Sequence, residues 1–438
     1  MNAILLDAAY AAAFAAGSPY FLYKMATTGK YREGLAARLG FVQAREGGEC
    51  IWVHGVSVGE VLAARSIVGG LEREFPGVDI AVSTTTGTGH SIAKRTYAGK
   101  HVFYYPIDFS RAVARTFRRI RPRAVVLMEM EIWPNFVAHA KTRGVPVVVV
   151  NGRITERSFR RFKRLGGIAR DFLGKVEAFF VQTDVYAERL VALGVAAQRV
   201  SVTGNVKFDT LSTEVDANRA ARIREEMGVG RDEILIIGGS THRGEEEALL
   251  DAYARMRQAE RRMRLLVVPR HDTRFDEAAA AIEARGYKVF RRSRVAKGQR
   301  PEGERPDKAE ILLGDTMGEL ERLYEAADVA FVGGSLIPHG GQNVMEPAAK
   351  GKPVVFGPSM DNFPDAASVL LASGAARQIR DKDELADALA AYAGTNAGSA
   401  AGRAGRDAVI RSKGATAKTV AKIAEILRNR QTVQTQVM

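Results

Sequence analysis

Cysteine is nearly missing from this chain of 438 residues. The single thiol, Cys50, cannot close an internal disulfide, so nothing ties the protein to an oxidising compartment. A complete dinucleotide fingerprint is also missing. Gly87-Thr88-Gly89 follows the second predicted strand, but Ile92 stands where a third glycine is needed, which sets aside a nicotinamide-dependent oxidoreductase. The seven histidines show no ligand spacing with cysteine or carboxylate, and no Asp-x-Asp follows a strand. No metal and no other cofactor is expected. Aromatic residues make up only 8%, and the arginine runs lack interleaved exposed aromatics except Phe159 and Phe162. Single-strand binders need such stacking platforms among their cations, so nucleic acid is not an expected partner.

What is present is a basic chain of ordinary globular balance, 46% hydrophobic with a formal charge of +14. At roughly 100 to 200 residues per domain its length allows two or three domains. The charge favours an anionic partner: nucleic acid, lipid headgroups or a phosphorylated substrate. The first residues help to choose. From Ala3 to Tyr23 the chain is almost entirely apolar, broken only by Asp7 and Gly17-Ser18-Pro19. That length is at the border of what spans a bilayer. No basic stretch precedes it, as a secretory signal would have. Lys24, Lys30 and Arg32 follow it, which keeps the downstream bulk in the cytoplasm. Residues 1–25 are therefore expected to associate with a membrane surface, spanning or dipping. The alternative is an Ala-rich helix packed on the first domain.

From Cys50 onward, short apolar runs alternate with amphipathic stretches. CIWVHG, IAVSTTT, AVVLME, VPVVVVNGR and AFFVQT are too short for helices and rich in β-branched residues, so they read as buried parallel strands. Helical patterns over Glu60–Phe75, Phe109–Ile120 and Val185–Leu193 separate them. Residues 206–232 hold no comparable strand, and then EILIIGG, RLLVVPR, YKVFRR, EILLGD, VAFVGG and PVVFG restart the series. Ser293–Lys308 reads as a surface loop. The fold class is α/β: two Rossmann-like, doubly wound parallel sheets in domains 26–210 and 211–438, with the default ligand site in the cleft between them. The amphipathic stretch Thr416–Arg428 is a candidate to pack back across the linker.

The motifs sit at strand-to-helix junctions. In the first half, HGVSVGE places His54 and Ser57 after a strand and Glu60 at a helix start. LMEMEIWPN puts Glu129 and Glu131 at the end of another strand, where carboxylates suit acid–base work. Lys207 lies where this half ends. Arg153, Arg157, Arg160, Arg161, Lys163 and Arg164 form one cationic stretch, and Arg111 to Arg123 another; a solvated basic face explains either equally well. In the second half, Gly238-Gly239 and Ser240 follow a strand. Glu245 to Glu247 suit a helix first turn but oppose a phosphate, so Ser240 is the better contact. Arg270 offers phosphate a bidentate fork, with His271 beside it. Finally, Gly333-Gly334 and Gly340-Gly341 bracket a loop leading to a helix expected near Asn343, with Asn343 and Glu346 on one face of its first turn. A carboxylate there can accept both hydroxyls of a ribose.

Together these motifs resemble the Kdo (3-deoxy-D-manno-octulosonic acid) transferases of lipopolysaccharide biosynthesis, glycosyltransferases of the GT-B type. The matching stretches, from the N-terminus to about residue 375, are HGVSVGE, MEMEIWPN, VNGRITERS, VTGNVKFD, GGSTHRGEE, VPRH, GDTMGELERLY, FVGGS and GGQNVMEPA, in the family's order. One departure is Gln342, where the family generally has histidine. The resemblance implies CMP-Kdo as donor, held in the second half by Arg270 and the Asn343–Glu346 turn. It implies a lipid A precursor (lipid IVA) as acceptor, inverting transfer without a metal, and Glu60 as general base with Glu131 or Glu129 near it. It implies a place on the cytoplasmic side of the cell inner membrane. Another GT-B transferase, using a UDP-sugar and a lipid acceptor, is the alternative within this fold.

Overall fold

The computed structural model of the protein describes residues 3–28, 33–260, 262–296 and 310–437. They form two units, Met1–Thr210 with Ser412–Met438, and Leu211–Arg411. The second domain thus ends at Arg411, not at residue 438. The helix Ala415–Val437 explains this correction: its Val420, Ile423 and Leu427 join Ile67 and Leu71 in the core of the first unit. Gly70 lets the two helices meet, because a Cβ there would come within 2.7 Å of Val420. The Asp209 carboxylate accepts the backbone N–H groups of Gly414 and Thr416 at the start of this helix.

The first unit holds a seven-stranded sheet of β1 (Cys50–His54), β2 (Asp79–Thr84), β3 (His101–Tyr104), β4 (Pro122–Met128), β5 (Val147–Gly152), β6 (Ala178–Val181) and β7 (Val200–Val202). Its order is β3-β2-β1-β4-β5-β6-β7. All pairings are parallel. The strand pattern explains why: Trp52, Val125 and Leu127 point into one core, while Ile51, Val53, Val126 and Met128 point into the other. A strand apolar on both faces is stable only when helices cover both. The second unit repeats the plan with β8 (Ile234–Thr241), β9 (Met263–Pro269), β10 (Val289–Arg291), β11 (Ile311–Leu313), β12 (Val329–Val332), β13 (Val354–Phe356) and β14 (Ala376–Gln378), in the order β10-β11-β9-β8-β12-β13-β14. The order reverses beside β1 and β4 in the first sheet and beside β8 and β12 in the second. Crevices for ligands form at those reversals, beyond the carboxyl ends of the strands.

Two local expectations change. The segment expected as a loop over Ser293–Lys308 opens as a short helix, Arg292–Ala296, where the Asp315 carboxylate accepts the Ser293 N–H and hydroxyl at 2.7 Å. Residues 297–308 of that expectation lie outside the described residues, as do Lys30 and Arg32. At the other end, Ala3–Thr28 is one helix, and its Asp7 is a fastener. The Asp7 carboxylate accepts the Ser110 N–H at 3.0 Å and the Asn135 amide at 2.8 Å, while the Tyr10 hydroxyl donates to Asp108 at 3.0 Å. Asp108 also accepts the Asn135 and Phe136 N–H groups at the start of the helix Pro134–Thr142. Among the described residues, no helix is long and apolar enough to cross a membrane.

Candidate active site

In the first unit the predicted carboxylates assemble at the β1/β4 reversal. Ser57 caps the helix Val58–Glu74, its oxygen accepting the Glu60 N–H at 3.3 Å. The Ser57 hydroxyl donates back to Glu60 Oε1 at 2.8 Å, and the Val56 N–H donates to Oε2 at 2.9 Å. This reciprocal cap fixes the side chain. A carboxylate has about four acceptor sites, so Glu60 keeps one free on each oxygen. Burial raises its proton affinity above the usual carboxylate range; Glu129 pushes it further, against the Val56 and Ser57 bonds and Lys207. Glu131 is raised by burial and then by Glu60. Glu129 has a backbone φ of +56°, one of four non-glycine residues in that sparsely populated region. Lys207 Nζ lies 3.1 Å from Glu129 Oε1. All four predicted residues, Glu60, Glu129, Glu131 and Lys207, therefore interact. His54 does not join them: it is fully buried against Tyr105, and burial holds it down to about 3.

Asn151 belongs to the same group and escaped the sequence reading. It too has a left-handed φ, +55°, and its side-chain oxygen accepts the Val206 N–H at 3.1 Å, positioning the turn that carries Lys207. The adjacent NG dipeptide after a strand was the available signal. The arginine runs serve the fold in part. Arg115 and Arg119 donate to the carbonyls of Leu39 and Val42, and Arg160 pairs with Glu156. The aromatics among those cations serve the core: Phe117 lies buried in it, and Phe159 and Phe162 pack against it.

In the second unit, Glu245 is the unexpected centre. Its carboxylate accepts four backbone N–H groups: His242 and Gly334 on Oε2, Ser335 and Leu336 on Oε1, at 2.7 to 3.0 Å. All its acceptor sites are filled, and it stitches the loop after β8 to the loop after β12. Burial raises this carboxyl while the four bonds pull it down. The other two acids of that helix turn are also engaged, Glu246 by Arg274 and Glu247 by the Gly244 N–H. All three acids of this turn are thus engaged within the fold.

The glycines change meaning accordingly. The Gly333 N–H donates to the Gly239 carbonyl and the Gly334 N–H to Glu245, so neither amide is available to a ligand. A Cβ on Gly333 would sit 2.8 Å from Glu245 Oε2 and 2.5 Å from the Ser240 carbonyl, which explains the glycine. Ser240, with φ +54°, is held in strained backbone at the end of β8. Arg270 follows β9 and has no hydrogen-bonded or ion-paired side-chain partner among the described residues. Asn343 and Glu346 do meet: the Asn343 amide donates to Glu346 Oε1 at 3.1 Å and its oxygen accepts the Met345 N–H. The helix there is only Met345–Ala349, shorter than expected and preceded by irregular backbone. Burial raises Glu346, opposed by Asn343 and by Arg270. His271 is exposed beside Arg270 and near His242.

Comparison with known proteins agrees with this arrangement. Residues 33–210 match the family model of 3-deoxy-D-manno-octulosonic-acid transferase (kdotransferase). The chain is 32% identical to the 3-deoxy-D-manno-octulosonic acid transferase of Haemophilus influenzae over 347 residues, 78% of this chain and 79% of that one. It is 37% identical to that of Bordetella pertussis over 341 residues, 76% of each. Among solved structures, Staphylococcus aureus MnaA with UDP superposes with a TM-score of 0.56 at 15% identity, covering 87% of this chain and 97% of that chain. HepE of Anabaena in complex with UDP gives 0.57 at 13% identity, covering 87% and 100%. Those two share the fold alone. With the motifs, the paired Rossmann-like units and these relatives in view, the chain belongs to the 3-deoxy-D-manno-octulosonic acid transferases, the GT-B glycosyltransferases of lipopolysaccharide biosynthesis.

Proposed function

We propose that the chain moves Kdo from CMP-Kdo to a hydroxyl of a lipid A precursor, lipid IVA, with inversion at the anomeric carbon and without a metal. The observation that carries this reading is Glu60: a fixed, half-buried carboxylate with raised proton affinity and one acceptor site open on each oxygen. An alcohol is a poor nucleophile at neutral pH and needs such an acceptor. The acceptor oxygen attacks the anomeric carbon, its proton passes to Glu60, and the bond to the CMP phosphate breaks with its electrons leaving on phosphate. Arg270 supplies positive charge to that leaving group, and Glu346, oriented by Asn343, accepts the ribose hydroxyls. Lys207 holds Glu129 beside Glu60 through its bond to Glu129 Oε1.

The substrate's anchor points the same way. The helix Ala3–Thr28 fastens to the first unit through Asp7 and Tyr10 while Ile4, Leu5, Phe14 and Tyr23 stand exposed, apolar side chains suited to the cytoplasmic surface of the inner membrane. Purified protein incubated with CMP-Kdo and lipid IVA should give, by mass spectrometry, an acceptor heavier by one or more Kdo residues and free CMP. Calorimetry should rank CMP above UMP and UDP. Product from a UDP-sugar with none from CMP-Kdo would replace this reading by the other GT-B one.

A further inference from the structure

Two imidazoles and an amide converge over Gly334 in the second unit, with a third imidazole, His271, beside them, and the roles assigned above leave them unused. The ring centroids of His242 and His339 lie 4.2 Å apart, and those of His242 and His271 5.8 Å apart. The Gln342 side-chain nitrogen is 3.4 Å from His242 Nε2. A Cβ built on Gly334 would meet side-chain atoms of His242, His339 and Gln342, each at 3.4 Å, so this glycine is the floor of the group. His242 follows β8, His271 follows β9, and His339 with Gln342 follows β12. These loops leave the carboxyl ends of the strands around the reversal point.

The electrostatics of this place favour an anion. Burial first, then His339, His271, Arg274 and Arg270, hold His242 down to about 4. Arg274 is neutralised by Glu246 and Glu277, whereas Arg270 has no ion pair among the described residues. The acid beneath, Glu245, has its charge spread over four N–H groups. Among the described residues no group of three or more His, Cys, Asp or Glu is disposed to hold a metal ion, so the rings are not ligands in waiting.

Under the CMP-Kdo reading, on which this inference rests, the donor carries two acidic groups on its anomeric carbon, a phosphodiester and a carboxylate. Arg270 answers the first. We infer that His242, His271 and His339, with Gln342, form the subsite for the carboxylate of the donor sugar. An activated neutral sugar leaves that cluster without its anion, so the cluster discriminates for sugar acids.

The test separates the two acidic groups. KM for CMP-Kdo and Ki for CMP as a product inhibitor are measured for the wild type, His339→Gln, His339→Lys and His271→Gln. Both positions are exposed, so the variants fold. The Gln variants should raise KM about five- to twentyfold, the worth of one charge-assisted bond, with Ki for CMP changed less than twofold. His339→Lys keeps a nitrogen donor at this position and should hold KM within about threefold of wild type. A parallel rise in KM and Ki overturns the inference, because the rings then serve the phosphate. So does an unchanged KM in the Gln variants, and so does a defect in the Lys variant that Gln lacks, which marks a sugar hydroxyl. If CMP does not inhibit the wild type and Arg270→Ala alters nothing, the nucleotide reading itself has failed, and the KM series still reports on the histidines.

Discussion

Glu60 in the first unit and Glu245 in the second occupy the same place in the architecture, at a helix start beyond the strand where the sheet order reverses. Glu245 is buried and Glu60 half-buried, both are drawn toward the protonated form by that burial, and both take hydrogen bonds from nearby backbone. They differ in how many donors reach them. Glu245 has two N–H groups on each oxygen and no site left for a proton. Glu60 has one donor on each oxygen, with Glu129 and Glu131 adding repulsion. A filled carboxylate fastens loops; a half-filled one among like charges can accept a proton. Residue type and helix position do not distinguish the two, but donor count does.

The comparison breaks most visibly at Glu60 itself. Glu60→Gln keeps size and cap bonds but removes the proton acceptor, so turnover should fall by roughly 10²- to 10⁴-fold. CMP affinity should change less than threefold; a variant retaining a tenth of wild-type turnover would move the role to Glu131. On the opposite unit, Arg270→Ala removes a charge-assisted bond contributing roughly 1.5 to 3 kcal/mol, so CMP should bind about 10- to 150-fold more weakly by calorimetry, at unchanged melting temperature. Glu245→Gln inverts that pattern. A glutamine oxygen can serve at most half of the four N–H groups, and its NH₂ opposes the rest. Thermal unfolding should show a loss of about 1 to 3 kcal/mol, with CMP binding weakened as the two loops part.

Two smaller effects sharpen the contrast. Because Glu60 is raised, turnover should climb with pH through an acid limb above the ordinary glutamate value of about 4.3. Glu129→Gln removes one like charge and frees Lys207, so the limb should move to lower pH; an unmoved or rising limb excludes Glu129 as a contributor. Asp7→Ala should be the mildest, about 1 kcal/mol of stability from three lost hydrogen bonds, two to Ser110 at the start of the helix Ser110–Ile120 and one to Asn135, read by denaturant unfolding.

The long apolar runs were legible because strands buried on both faces carry no polar alternation, and eleven of the fourteen strands among the described residues were read from the sequence, the edge strand β10 included. The three that were not, HVFY, VSV and ARQ, are edge strands with one neighbour each, where fewer apolar residues suffice. The first-unit carboxylates and Lys207 were legible as well, since each lies within six residues after the end of a strand. Glu245 was not, because an acid in a helix first turn looks the same whether it faces solvent or four N–H groups. Gly333 and Gly334 were seen, but for a ligand; only coordinates reveal that their missing side chains make room for Glu245 and for a ring of histidines. The terminal stretch Thr416–Arg428 was marked by its amphipathicity, which says that a helix buries a face but not which unit receives it.

That terminal helix also sets a schedule for synthesis. Residues up to Thr210 leave the ribosome about two hundred residues before Ala415–Val437, and at roughly 5 to 20 residues per second the delay is on the order of tens of seconds. Through that interval Ile67, Leu71 and the bare backbone at Gly70 lack the cover that Val420 and Ile423 later provide. The intervening unit is a continuous segment and can complete its own sheet meanwhile. A nascent chain stalled before residue 412 should therefore expose a sticky seam that the finished protein hides, and chaperone dependence should concentrate there.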